Sequence, residues 1–132
     1  MTKKQLQEHY WLRQNIKKLE EKLLELETEA KRMTAVYNNI NPSKRNTSKD
    51  RLSEIVAKIV DTQNEINELT VQAYEKMLEI EKAILKLPNR ERYLIRLRYI
   101  ECMSWYEIME EMNYSWRQVH RIHADALKTL AG

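Results

Sequence analysis

Glycine occurs once in the 132 residues, at Gly132, and proline only twice. Loops that cradle phosphate in nucleotide-hydrolysing folds are built on glycine, and tight hairpins need it too, so both are disfavoured. With so few breakers the chain reads almost wholly helical. The single cysteine, Cys102, cannot form an intrachain disulfide, which fits a reducing compartment and the role of a buried small hydrophobe. No run approaches the roughly 18 apolar residues of a membrane span, and the opening stretch MTKKQLQEHYWLRQ is basic without the apolar centre of a secretory signal. A soluble, cytoplasmic protein with no membrane partner is expected. A large charge excess is also missing: the net charge is +3 with 33% charged residues, so any argument for a nucleic-acid partner must rest on local placement.

What the chain has instead is heptad-like spacing. Leu12, Ile16, Leu19, Leu23, Leu26, Ala30, Met33, Tyr37 and Ile40 follow steps of four and three, a coiled-coil seam on a helix that Thr2 and Gln5 can cap as a box. Turn formers from Asn38 to Asp50 end it. A second run resumes near Asp50 with Leu52, Ile55, Ile59, Thr62, Ile66, Leu69 and Ala73. It then shifts phase to Met77, Ile80, Ile84 and Leu87, a stutter. Val56, Val60 and Tyr74 widen this second stripe beyond what one partner helix can cover. The two runs are expected to fold back on each other and to dimerise into a four-helix bundle, the alternative being a hairpin that packs only on its own C-terminal domain. Lys44, Arg45, Lys49 and Arg51 against Asp50 alone read as a solvated connecting loop.

Pro88 biases Leu87 away from helical geometry and sets a boundary there. In the next helix Leu94 and Leu97 supply a core face, with Arg90, Arg92, Arg96 and Arg98 mostly outside it. Ser104 with Glu107 starts a short helix, and Asn113 sits where a left-handed turn is wanted. Ser115 with Gln118 is a further capping box, so the last helix begins at about Trp116 and buries Val119, Ile122, Ala126 and Leu130. Its outward face is Trp116, Arg117, Gln118, His120 and Arg121. Arginine can bond bidentately to guanine, glutamine to adenine, and an aromatic ring can touch a thymine methyl. Arg98 and Lys128 are placed to meet phosphate beside the Ser115-capped helix end. Trp116 has a competing role as an anchor in a protein interface.

The expected fold is therefore all-α: a long antiparallel helical hairpin (coiled coil) over residues 1–87, then a three-helix helix-turn-helix domain over 88–132. By residue pattern the second segment resembles region 4 of the sigma-70 family. Leu87-Pro88, Leu97-Arg98-Tyr99, Ser104 to Ile108, Ser115 to Ile122 and Ala126-Leu127 stand in the order that family shows. The chain is also similar to small phage-encoded regulators of late transcription, the RinA-like and ArpU-like activators, in size and in carrying such a C-terminal segment. The resemblance implies promoter recognition in double-stranded DNA by the helix after Ser115, and carries the contact role onto Trp116, Arg117, Gln118, His120 and Arg121. Trp116 departs from the family's charged residues there, and Asn113 replaces its turn glycine. The first 87 residues contain nothing like a promoter-melting region, so a stand-alone sigma factor is not expected.

Two other classes compete. A small terminase-like packaging protein would also join DNA binding to an oligomerising arm, and a pure interaction module would use the same segment to contact RNA polymerase without touching DNA. An enzyme is not expected. His120 and His123 are too few to hold a metal, Glu107, Glu110 and Glu111 read as a solvated face, and no cofactor is called for.

Overall fold

The computed structural model describes Met1–Gly132 as five α-helices without a strand: α1 (Lys3–Asn39), α2 (Arg45–Ala83), α3 (Asn89–Ile95), α4 (Trp105–Met112) and α5 (Trp116–Ala131). The all-α expectation holds. At its start α1 carries the reciprocal box: the Thr2 amide donates to Gln5 Oε1 at 2.8 Å and the Gln5 amide to Thr2 Oγ1 at 3.3 Å. No helix is long and apolar enough to cross a membrane.

The joint between α1 and α2 is shorter than expected. Asn41 accepts from the Ser43 amide and caps a single 3₁₀ turn, Pro42–Lys44, and α2 begins at once at Arg45 rather than near Asp50. Asn46, Thr47 and Ser48 are individually poor helix formers, but each costs only a few tenths of a kcal/mol in a helix already nucleated by a capped proline turn. Arg45, Lys49 and Arg51 therefore stand on a helix and not in a loop.

Two compact units make up the chain: Met1–Gln14 together with Val71–Gly132, and Asn15–Thr70. This division differs from the one expected at Leu87. The backbone does break there, through a 3₁₀ turn (Ile84–Lys86) and extended Leu87, but the hydrophobic core runs across the break. Leu6 of α1 and Ile80, Ile84 and Leu87 from the end of α2 are buried with Leu94, Ile95, Leu97, Tyr99, Ile108, Val119, Ile122, Ala126 and Leu130. A three-helix segment of some 45 residues has too little apolar surface to close its own core, so it recruits the nearest helical turns. In the Asn15–Thr70 unit the seam positions Leu19, Leu23, Leu26, Leu52, Ile55, Ile59 and Ile66 are half-buried, and only Ile16 and Thr62 are fully so. The Thr62 hydroxyl is satisfied by donating to the Lys58 carbonyl at 2.7 Å.

Candidate nucleic-acid interface

The helix-turn-helix is built by short-range chemistry. Ser104 caps α4 by accepting from the Glu107 amide at 3.2 Å, but the Glu107 carboxylate turns to the Ser104 hydroxyl (3.1 Å) and leaves the return bond to the backbone unmade. Asn113 ends α4 at φ 56° and ψ 43°, the left-handed region that asparagine tolerates. Two residues on, the box at α5 is complete: the Gln118 amide donates to Ser115 Oγ at 3.2 Å and the Ser115 amide to Gln118 Oε1 at 3.0 Å. The start of α5 at Trp116 is as expected, and Val119, Ile122, Ala126 and Leu130 are buried, joined by His123.

Opposite that buried face lies a basic stripe. At 3.6 residues per turn Arg117, Arg121, Ala124 and Lys128 fall within an arc of about 60°, roughly half a turn from the buried side chains. All four are exposed, and none of the three cations forms a salt bridge. Gln118 lies about a quarter turn from the stripe, exposed on the flank of the helix, with its Oε1 committed to the cap, so only its amide NH₂ remains free. Its expected part in the capping box is met, and of the base-contact role the sequence also gives it only the amide NH₂ is available.

Most of the arginines preceding the motif are also committed. Arg92 reaches back to the end of α2 and donates to the carbonyls of Ile84, Leu85 and Leu87 at 2.8–3.2 Å, satisfying carbonyls that a helix terminus leaves open. Arg96 forms a two-point pair with Glu81 (3.1 and 2.8 Å), which holds the Glu81 carboxyl below and the Arg96 guanidinium above their ordinary ranges. Arg90 lies over the Tyr114 ring at 5.9 Å. Arg98, expected to meet phosphate, instead donates to the Met103 carbonyl at 2.8 Å and lies 4.5 Å over the Trp105 ring and 5.7 Å over that of Tyr10. It is half-buried and holds the turn into α4, a turn in which Cys102 adopts φ 59°. Cys102 is only partly buried, and burial raises its thiol pKa, so it is an unreactive turn residue.

Beside the basic stripe runs an aromatic stack. The Trp116 ring is 61% exposed and sits 4.0 Å from His120, which is 4.4 Å from Trp105, which in turn meets His123 at 4.8 Å. Below them the Tyr99 hydroxyl and His123 Nε2 share a hydrogen bond at 2.7 Å, and His9 of α1 donates from Nδ1 to the Tyr99 carbonyl at 2.7 Å. Burial is the main cause of every shift in this group. It pushes His123 down to about 4, with Lys3, His120 and Arg98 adding repulsion, and it lowers His9 and His120 and raises Tyr99 to about 12. All of these rings are neutral at pH 7, and His120 Nε2 is buried without a hydrogen-bond partner. His9, to which no role was given from sequence, thus ties α1 to the π turn Arg96–Ile100 that ends α3. Its partner is 90 positions away, and no local pattern could have revealed it.

Residues 38–131, from the end of α1 through α5, match the family described as "Protein of unknown function (DUF1492)". No curated protein and no solved structure matches the chain. The matched stretch takes in the whole of α2 together with the capped helix-turn-helix, and the chain belongs to the DUF1492 family.

Proposed function

We propose that the protein is a sequence-specific, DNA-binding transcriptional regulator of phage or prophage origin, acting in the cytoplasm, that lays α5 in the major groove. The observation that carries this reading is the row of unpaired Arg117, Arg121 and Lys128 directly opposite the buried face of a helix whose start is doubly capped. An α-helix fits the major groove, and cations spaced by one turn along its outer face meet base edges or phosphates at successive positions. Arg117 and Arg121, near the N-terminal end, are assigned to base edges. Lys128, about two turns beyond Arg121, is assigned to the backbone. The stack behind Trp116 fixes its ring, so an apolar contact to a thymine methyl costs little conformational entropy. Arg98 serves this surface by holding Trp105 and not by touching DNA.

The half-buried seams of α1 and α2 support self-association through residues 1–87, which would present two reading helices to a two-fold symmetric site. RNA polymerase is a second partner of this reading, as the resemblance to sigma-70 region 4 implies. The test is selection of bound duplexes from a random pool by the full-length protein. A defined consensus, lost when Arg117 and Arg121 are both replaced by Ala, is expected. A pool that stays random, or an unchanged consensus in the double variant, would overturn the assignment.

A further inference from the structure

The outer face of α2 carries a second apolar row that nothing in the chain covers. Val56, Val60, Val71, Tyr74 and Leu78 are each between 47% and 58% exposed, whereas the inner positions of the same helix, such as Thr62, Ala73 and Ile80, are buried. With Gln63 and Asn67 included, the row is 56, 60, 63, 67, 71, 74 and 78. At 100° per residue all seven positions fall within an arc of about 80°. Steps of three and four on one line of a helix are the seam of a helix–helix contact, so the missing partner is itself a helix.

The order of the steps identifies that partner. They run 4, 3, 4, 4, 3, 4 and therefore read the same in both directions about Asn67. A row that is its own reverse is self-complementary when two copies run antiparallel about a two-fold axis. In that register Val56 faces Leu78 of the second copy, Val60 faces Tyr74, Gln63 faces Val71, and Asn67 faces itself. Valine opposite leucine or tyrosine pairs a smaller with a larger side chain in each apolar layer. Two carboxamides meeting on the axis can exchange reciprocal hydrogen bonds, since each offers both a donor and an acceptor. A polar layer of that kind on the axis fixes register in helix pairs. No charged residue stands in the row, so no like charges meet.

We infer that the protein self-associates as an antiparallel pair through this outer face of α2, with Asn67 on the two-fold axis. The inference rests on the reading of the chain as self-associating, and is independent of DNA binding. It sharpens the expected dimer, which Val56, Val60 and Tyr74 already implied, by adding Val71 and Leu78, by leaving out the half-buried inner positions Leu52, Ile59 and Ile66, and by fixing an antiparallel register.

Single cysteines in the full-length chain carrying Cys102→Ser test it by mild oxidation. Asn67→Cys is expected to link to itself. Val60→Cys and Tyr74→Cys are expected to link to each other in a mixed sample but not to themselves, because like residues would lie about 21 Å apart along the helices, far beyond the reach of a disulfide. Self-linking of Val60→Cys and of Tyr74→Cys would mean a parallel pair and overturn the proposal. A dimeric mass by sedimentation with none of these links would overturn it while leaving self-association standing. A monomer at tens of micromolar by sedimentation of the parent chain would overturn both.

Discussion

Between Asn15 and Thr70 only Ile16 and Thr62 are fully buried, whereas Met1–Gln14 and Val71–Gly132 together enclose Leu6, Ile84, Leu94, Ile108, Val119, Leu130 and their neighbours with almost no exposure. The two units are both helical, yet they are helical for different reasons. The second is folded by its own core, which fixes short helices that could not exist in isolation, α3 being seven residues and α4 eight. The first consists of long helical stretches with half-covered seams, for which length and the absence of breakers do much of the work. Such a stretch depends on what covers it, while the compact unit can present a rigid surface whatever its surroundings.

The largest contrast should appear in core truncation. Ile84→Ala is expected to cost about 2–5 kcal/mol by urea unfolding, through lost burial and the cavity left behind. Val60→Ala, in dilute protein, should stay within about 0.5 kcal/mol of the parent. Equal losses at the two sites would mean that Val60 is covered as fully as Ile84, contradicting the open outer face of α2.

Next comes acid. The pKa of His123 is about 4 in the fold against an ordinary 6.5, and burial lowers His9 as well, so the unfolded chain takes up protons first as the pH falls. The stabilisation from this difference is complete above about pH 6.5 and is lost as the pH drops toward 4. For His123 it amounts to about 3 kcal/mol. Unfolding followed from pH 7 to pH 4 should show that loss in the compact unit, and His123→Gln should flatten the profile whatever it does to stability at pH 7. An unchanged slope in the variant would remove His123 from the account.

A smaller difference separates the two serine caps. Ser115→Ala should cost about 0.5–2 kcal/mol, and more than Ser104→Ala, because the return bond from the backbone to the side chain is made by Gln118 but not by Glu107. Thermal melts of the two variants give the ranking, and the reverse order would contradict the asymmetry.

These local features were legible in the sequence. Ser115 with Gln118, Asn113 in its left-handed turn and the buried Val119, Ile122, Ala126 and Leu130 each depend on neighbours a turn or two away. What was not legible depends on distance in sequence. Arg92, Arg96 and Arg98 look like a free basic face until the Ile84 carbonyl, Glu81 and Trp105 are brought to them. The start of α2 at Arg45 was hidden because three poor helix formers in a row outweigh, on paper, one capped proline turn. Cys102 at positive φ carries no compositional signal, since the residue expected at such a position is glycine or asparagine.

The central claim is that the compact unit offers α5 to DNA. It is tested most directly by titrating isotopically labelled full-length protein with the selected duplex and following backbone amide shifts. The account predicts changes concentrated from Trp116 to Lys128 and at the start of α4, with those of Asn15–Thr70 unmoved. Shifts confined to Asn15–Thr70, or none at saturating duplex, would contradict it.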